Sequence, residues 1–164
     1  MSGRAGLQIN GLEDWQKGLL KAERGAVDRM KDRVLRTAGL RTQEYLDNLT
    51  PVRTGRLKGS MTMGAPGNVF NINVGRNSFV FTGTAVEYAT YVNDGFTQEK
   101  GRFVPGFWRN GTFHYIPGYP DGMVLTGKVV AGAHMFEKAM DYMEEDMPQI
   151  LEFEFRRLYR ELFG

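Results

Sequence analysis

Apolar residues at helical spacing dominate the first third of the chain. Between residues 12 and 49 they recur every three or four positions, which predicts one long helix or two nearly collinear helices. Gly25 and Gly39 interrupt the pattern, each weakening a helix by about 1 kcal/mol relative to alanine, and are predicted to mark bends. Pro51 disfavours the helical conformation in the residue before it, so we expect the helix to end at Thr50.

A second helical pattern closes the chain. Its apolar positions are three or four residues apart: Phe136, Met140, Met143, Met147, Leu151, Phe155, Leu158 and Leu162. Pro148 falls inside the pattern, so either the helix kinks there or Asp146 caps a second helix with the proline in its first turn. The apolar stripe continues across the proline, which favours one kinked helix.

Shorter patterns lie between the two helices. Residues 58–63 and 69–74 alternate apolar and polar side chains on either side of Gly-Ala-Pro-Gly, which predicts a β-hairpin. Residues 78–84 predict a further strand. Residues 85–95 fit a helix by their spacing and a strand by their aromatic and β-branched content, so both assignments stay open.

Residues 96–128 are aromatic, glycine-rich and proline-rich. The large rings are Phe96, Phe103, Phe107, Trp108, Phe113, Tyr115 and Tyr119. A segment this long predicts an irregular or hairpin-like excursion with a binding role. Because two helices and a sheet already supply a core, some of these rings are expected to be exposed or buried against another chain. The predicted partner contacts are Tyr88, Tyr91, Phe103, Phe107, Trp108, Phe113, Tyr115 and Tyr119.

Length and charge add an asymmetry to this picture. The 164 residues fit an N-terminal arm at 1–10 and a single domain at 11–164, with the excursion at 96–128. The formal charge is +2, but residues 1–61 carry +5 and residues 135–164 carry −4. The two ends can attract each other within one molecule or between neighbours, or form two solvated helix faces. No apolar run reaches the roughly 20 residues of a membrane span, and no membrane association is expected.

The chain offers little catalytic chemistry. It has no cysteine, which removes disulfides, thiolate zinc sites and cysteine nucleophiles. His114 and His134 are the only histidines, and neither lies in a metal-binding or nucleophile-activating motif. The acidic run at 144–146 is interpreted as a solvated helix face rather than a divalent metal site. We therefore expect no enzyme activity, no catalytic or metal-binding residues and no cofactor.

Three motifs carry a family resemblance. "TPVRTGRLKGSM" resembles the Pro-x-x-Thr-Gly-x-Leu-x-x-Ser signature of the tail-completion, or head–tail joining, family of long-tailed bacteriophages. "YATYVNDG" is similar to that family's Tyr-Ala-x-Tyr-Val followed by glycine, and "GAHMFEKAM" to its closing motif before the last helix. The chain departs from the family at Arg53, where an acidic residue is common, at 93–96, and in the length of its aromatic segment.

The resemblance implies an α+β fold: a long N-terminal helix, a small antiparallel sheet, and a long kinked C-terminal helix packed on that sheet. It also implies assembly with itself as a ring, usually a hexamer, in the neck or at the head-proximal end of the tail. The expected partners are adjacent neck or connector proteins and tail-tube or terminator proteins, with non-specific contact to DNA in a central channel. The implied location is the virion, after assembly in the host bacterial cytoplasm.

The first motif is predicted to form an assembly corner of Arg53, Thr54, Gly55 and Arg56. Gly55 would permit a turn that other residues resist, and Thr54 would cap that turn through its hydroxyl. Leu57 is expected to start the sheet with its side chain inward. The two arginines could pair with acidic groups of a neighbouring subunit, face DNA phosphates, or pair within the chain.

Two other functions remain open from the sequence. A tail terminator or another ring of the same neck would share these features, because the partner alone distinguishes the roles. A free nucleic-acid-binding protein belongs to a different class. A charge of +2 is small for a dedicated binder, and the basic residues of the first helix are interleaved with acids.

Overall fold

A long helical segment begins the computed structural model, which describes residues 12–52 and 55–164. The elements in chain order are α1 (Leu12–Lys21), a π-helical turn (Ala22–Ala26), α2 (Val27–Leu49), α3 (Arg56–Gly59), β1 (Asn68–Asn73), β2 (Phe79–Thr84), α4 (Ala89–Asp94), β3 (Gly95–Thr97), β4 (Phe103–Arg109), β5 (Thr112–Tyr115), β6 (Gly122–Val124), β7 (Val129–Ala131) and α5 (Met135–Phe163). Long helices at either end and small antiparallel sheets between them confirm the predicted α+β fold class. The predicted arm at 1–10 lies outside the described residues.

The first helical pattern forms two helices joined by the π-helical turn. Gly25 lies in that turn with a φ of 92°, a conformation that glycine adopts without the penalty of a Cβ atom. Helix α2 ends at Leu49, and Thr50 is extended at φ −73° and ψ 121°, as the proline after it predicted. Gly39 lies within continuous α2 and makes room for the sheet: a Cβ atom there would lie 2.8 Å from ring and methyl carbons of Phe70 and Val80.

The predicted hairpin of residues 58–63 and 69–74 is wrong in its first strand. The backbone turns helically at α3, and β1 pairs instead with β2, from Asn68 opposite Thr84 to Asn73 opposite Phe79. The burial of Leu57, Ser60 and Met61 follows a helical period, which the short alternating pattern concealed. The open choice at 85–95 is resolved as helix α4.

Helix α5 runs as one helix from Met135 to Phe163 and contains Pro148. It packs mainly against α2, with Met30, Val34, Ala38, Met143 and Ile150 buried between them. At its start, the ring of Phe136 lies beside Gly83 of β2, where a Cβ atom would be 3.7 Å away. The β1–β2 sheet therefore has α2 against one face and the beginning of α5 near the other face.

Ion pairs join the basic and acidic ends of the chain within one molecule. Arg33 Nε lies 2.6 Å from Glu154 Oε2, Arg41 Nη1 lies 2.7 Å from Asp146 Oδ2, and Arg29 pairs with Glu161. Glu154 is only 4% exposed, so its charge depends on the arginine beside it. Of the two attractions that the charge asymmetry allowed, the structure shows the intramolecular one.

Asp146 sits at a polar cluster between α2 and α5. The hydroxyl of Tyr45 and the guanidinium of Arg41 both donate to its Oδ2, at 2.5 and 2.7 Å. The hydrogen bond from Tyr45, followed by that from Arg41, holds the pKa of Asp146 below its ordinary value. The same hydrogen bond raises the pKa of Tyr45, because loss of its proton would place two negative charges together.

Candidate assembly surface

Gly55 forms the corner that the first motif predicted. Its φ of 77° is left-handed, and no described residue beyond its chain neighbours lies within 4 Å of the point that a Cβ atom would occupy. The backbone conformation alone therefore favours glycine there. Leu57 is 4% exposed and packs in the core beside Leu46 and Met135. Its inward direction was predicted correctly, but it lies on helix α3 rather than on a strand. Arg53 and Thr54 lie outside the described residues.

Ser60, which ends the Pro-to-Ser signature of the first motif, ties the corner to the rest of the fold. Its hydroxyl donates to the Leu57 carbonyl at 2.6 Å, so it accepts from the Thr84 hydroxyl at 2.7 Å. The Thr84 oxygen in turn accepts from the backbone N–H of Val86 at 3.0 Å. These hydrogen bonds connect the corner, strand β2 and the segment that begins the second motif.

Asn93 joins the second and third motifs, a role that sequence reasoning missed. This buried side chain accepts a hydrogen bond from the Phe136 backbone N–H at 3.0 Å and donates to Glu137 at 3.0 Å. It therefore satisfies one of the unpaired N–H groups in the first turn of α5. The signal in the sequence is an amide that directly follows the apolar residues of the second motif, and that signal does not reveal its partner.

The corner opens onto an apolar groove of about 1190 Å³, called the corner groove below. Its lining residues are Pro51, Gly55, Arg56, Leu57, Tyr88, Tyr91, Val92, Phe96, Gln98, Val130, Ala131, Gly132 and Ala133. The groove thus brings together Gly55 and Arg56 from the predicted corner and Tyr88 and Tyr91 from the predicted partner contacts. Tyr91 is 61% exposed and packs edge-on against Phe96, with ring centroids 6.2 Å apart.

The aromatic segment forms an extended ribbon, defined here as residues 95–131. Strands β3 and β4 lead outward, and β6 and β7 return antiparallel to them. Strand β5 pairs with β4 to complete a three-stranded sheet in the order β5-β4-β6. The segment predicted as an irregular or hairpin-like excursion is thus made of short antiparallel strands.

A two-residue turn at Asn110 and Gly111 forms the tip of the ribbon. Both residues have positive φ, 49° and 74°, as a type I′ hairpin turn requires. Asn-Gly is the strongest short hairpin signal in a sequence, so this turn could have been predicted. The residues from β4 through β5, 103–115, are called the ribbon tip below.

The predicted partner contacts on the ribbon are largely exposed. Phe103, Trp108 and Tyr115 are 51%, 61% and 60% exposed. On one face Phe107 stacks on His114, at 5.3 Å between ring centroids, and on the other Trp108 packs edge-on against Phe113 at 5.4 Å. Tyr119, 36% exposed, lies 5.8 Å from Phe107. The structure therefore separates the predicted contacts into a groove set, Tyr88 and Tyr91, and a ribbon set that contains the other six.

Metal-ligand clusters and membrane-spanning helices are both absent from the residues that the structure describes. Within 12–52 and 55–164, no three histidine, aspartate or glutamate side chains come together as metal ligands would. No helix in these ranges combines the length and the apolar character that a membrane span requires.

Comparison with known proteins gives the class of this chain. Residues 13–95, just over half of the chain, match the family described as "Bacteriophage HK97-gp10, putative tail-component". The chain therefore belongs to this phage tail-related family. The match ends at the first residue of the ribbon, so it covers α1 through α4 with the β1–β2 hairpin and leaves out the ribbon and α5.

Two proteins of Bacillus subtilis (strain 168) are similar over most of their length. The uncharacterized protein YqbI is 32% identical over 145 residues, which cover 82% of this chain and 86% of the relative. The phage-like element PBSX protein XkdI is 28% identical over 165 residues, which cover 95% of this chain and 100% of the relative. No solved structure matches.

Proposed function

We propose that this protein is a structural neck component of a phage or phage-tail-like particle. In this role it forms a ring, of six subunits, at the head-proximal end of the tail, completes the tail and joins it to the head. The observation that carries the proposal is a tail-family chain that exposes two apolar surfaces, the corner groove and the ribbon tip. Exposed apolar surfaces of this kind mark protein–protein contacts.

The proposed role is structural rather than enzymatic. His114 stacks on Phe107 at the ribbon tip, while His134 lies directly before α5, so the two candidate bases lie in different parts of the fold. The proposed partners are further copies of the chain, adjacent neck or connector proteins, and tail-tube or terminator proteins. Arg56 at the groove and Arg53, three residues earlier in the chain, would meet acidic groups of a neighbouring subunit or DNA phosphates in a central channel.

The proposed location is the particle itself, assembled in the cytoplasm of the host bacterium. The relative XkdI is described as a protein of a phage-like element, which supports a particle of this general kind. Nothing in the proposed role requires a cofactor, since a ring at the tail end acts through its contacts.

Deletion of the gene from the element that encodes the protein tests the proposal. Induced particles would be imaged by negative-stain electron microscopy, with the intact gene supplied in trans as the control. Full heads beside separate tails of normal length would support a joining role. Over-long tails would point to the terminator role instead, and normal intact particles would overturn the proposal.

Binding to free DNA tests the remaining alternative. A dedicated nucleic-acid-binding protein would bind duplex DNA with an affinity that falls steeply with salt. We expect the isolated protein to bind weakly, because its three α2–α5 ion pairs already neutralise arginines of the basic end. Tight binding that falls by about 10³-fold between 50 and 200 mM salt would contradict the structural proposal.

A further inference from the structure

The acidic residues of α5 fall into two groups. From residue 146 onward each one has an arginine partner: Asp146 with Arg41, Glu152 with Arg156, Glu154 with Arg33 and Glu161 with Arg29. Asp141, Glu144 and Glu145 are exposed, and none of them forms an ion pair with a described residue. These three residues are called the acidic face below. The single chain leaves this face without a counter-charge.

The carboxylates in the first half of α5 also repel each other. Glu137, Asp141 and Glu145 follow at intervals of four residues, which places them on one side of the helix. Like charges at this spacing destabilise a helix. The helix dipole favours Glu137, which lies in the first turn, but its effect does not extend to Asp141 and Glu145. A cation from another molecule would relieve this repulsion.

The ribbon carries cations of the required kind. Lys100, Arg109 and Lys128 are exposed and form no ion pair with a described residue. At the ribbon tip Arg109 is the only residue among arginine, lysine, aspartate and glutamate, so the tip has a net positive charge. The tip and the acidic face are therefore opposite in charge, and both charges are accessible to solvent.

The apolar groups beside these charges match as well. On the tip, Phe107 lies two residues before Arg109 on the same face of β4, about 7 Å along the strand. On α5, the thioether of Met140, 52% exposed, lies four residues before Glu144, about 6 Å along the helix. A thioether packs favourably against an aromatic ring. Ring against thioether and arginine against carboxylate can thus form at the same time.

The chain does not make this contact with itself. The ribbon starts beside the beginning of α5, where the backbone N–H of His134 donates to the Asn93 carbonyl at 2.9 Å. Strands β3 (3 residues) and β4 (7 residues) then span about 30 Å when extended. At the end of β4, Arg109 has no described carboxylate within ion-pair distance. A second copy carries the same acidic face and would supply the missing counter-charge.

We propose that the ribbon tip of one copy binds the acidic face of α5 on the next copy. The contact is heterologous, because two different surfaces of the same chain meet. Repeated around an axis, such a contact closes into a ring or continues as a filament. The inference rests on the proposed ring function and supplies its subunit contact.

Cross-linking in assembled particles tests this contact, because the chain has no cysteine to interfere. The gene deletion would be complemented with a Thr112→Cys, Met140→Cys double variant. Thr112 is exposed and lies opposite Arg109 in the β4–β5 pairing, so the variant places one thiol on the tip and one beside the acidic face. Purified particles would be treated with a short bismaleimide and separated on a denaturing gel. We expect a ladder of multimers of this chain, whereas each single variant gives none.

The other outcomes of the cross-linking are distinct. A Thr112→Cys, Tyr159→Cys variant is the matched control, because Tyr159 is exposed on the same helix but lies about 28 Å further along it, and it should give no ladder. An equal ladder from the control, adducts with a protein of different size, or particles that contain the chain without adducts would each overturn the inference. Absence of the original chain from particles would instead overturn the proposed function.

Charge reversal gives an independent test. We expect Arg109→Glu to reduce the yield of joined particles about tenfold, and the pair Glu144→Lys, Glu145→Lys to do the same, since like charges then meet. All three changes together should recover to within about threefold of the original chain, because the pairing is restored in reverse. Losses that simply multiply, to about a hundredfold, would show that the two surfaces do not meet. Arg76→Glu, at an exposed arginine between β1 and β2, is the control and should assemble normally.

Neutral variants separate assembly from folding. Glu144→Gln and Glu145→Gln together remove like charges from α5, so the isolated protein should unfold at the same temperature or a higher one. The same variant should reduce the yield of joined particles, because the counter-charge for Arg109 is lost. A lower unfolding temperature would show that these carboxylates stabilise the fold, and an unchanged yield would show that they do not bind a neighbour.

Discussion

Helices α2 and α5 bury apolar side chains and pair opposite charges along the face where they meet, whereas the ribbon tip leaves most of its rings exposed. Between α2 and α5 the apolar faces are buried, and the arginines of one helix pair with the acids of the other. On the ribbon tip, aromatic rings lie on both faces of a three-stranded sheet, and Phe103, Trp108 and Tyr115 stay exposed. The helices therefore stabilise the fold, whereas the ribbon presents side chains that another molecule can bury.

The family match includes α2 but neither the ribbon nor α5. It covers α1 through α4 and stops at Gly95, where the ribbon begins. Gly95 itself is constrained, because its φ is 77° and a Cβ atom would lie 2.3 Å from the Val130 carbonyl oxygen. The junction is therefore a tight backbone contact from which the ribbon departs. Changes in the helices should affect folding, and changes in the ribbon should affect assembly.

The largest expected loss of stability comes from the core where the three motifs meet. Leu46 is 1% exposed and packs against Leu57, Met61 and Met135. We expect Leu46→Ala to lower the free energy of unfolding by about 2–5 kcal/mol, since it removes buried methyl groups and leaves a cavity. Urea denaturation followed by circular dichroism would measure this. Leu40→Ala on the same helix is the control: Leu40 is 42% exposed and should cost far less. Equal losses would contradict the core assignment.

A smaller loss is expected at the corner. Gly55→Ala should cost about 1–2 kcal/mol, because a residue with a Cβ atom resists a left-handed φ of 77°. Gly59→Ala, four residues later in α3, is the matched control. A Cβ atom there would also meet no described residue within 4 Å, but Gly59 lacks a positive φ, so alanine should be neutral or stabilising. Unchanged thermal stability of the Gly55 variant would refute the corner argument.

The polar cluster at Asp146 should make the free energy of unfolding depend on pH in the acidic range. Its pKa is lower in the folded chain than in the unfolded one, so it stabilises the fold above its unfolded pKa. That contribution is lost as the pH falls through the folded value. We expect Asp146→Asn to be less stable than the original chain near neutral pH, and the difference to shrink between about pH 5 and pH 2. Asp141→Asn, on the exposed side of α5, is the control. A pH-independent difference would contradict this role for the carboxylate.

Local backbone rules account for what the sequence predicted well. Pro51 sets the end of α2, and Gly55 permits the turn at the corner. The spacing of apolar residues predicts the two long helices. Each of these effects acts within a few residues of the chain. The prediction of a strand at 58–63 was wrong because six residues can fit both the alternation of a strand and the spacing of a helix. Only the burial of Leu57 and Met61 in the core decides in favour of the helix.

The corner groove could not be predicted in the same way. Its walls include residues 51 and 55–57, residues from 88–98 and residues 130–133, and only the folded chain brings these segments together. The partner contacts were predicted from their aromatic character, but not their separation into a groove set and a ribbon set. That separation follows from the strand register, which places Trp108 opposite Phe113 far along the ribbon from Tyr91.

The smallest effect on stability is expected from removing most of the ribbon. The Gln98 backbone N–H donates to the Lys128 carbonyl at 3.0 Å, so β3 and β7 lie close enough to be joined there. Replacing residues 99–127 with Asn-Gly would close a hairpin and leave the groove lining in place. We expect the variant to unfold at nearly the same temperature as the original chain, yet fail to complement a deletion of the gene.

A matched control keeps the ribbon but changes its rings, with Trp108→Ser and Phe113→Ser in the full-length chain. Both variants should fold, because these rings contact each other and lie outside the two buried core clusters. Both should also lose assembly, which would assign the defect to the rings rather than to the shortened chain. A ribbon deletion that unfolds would show that the ribbon stabilises the helices after all. A deletion that still assembles would show that assembly does not depend on the ribbon.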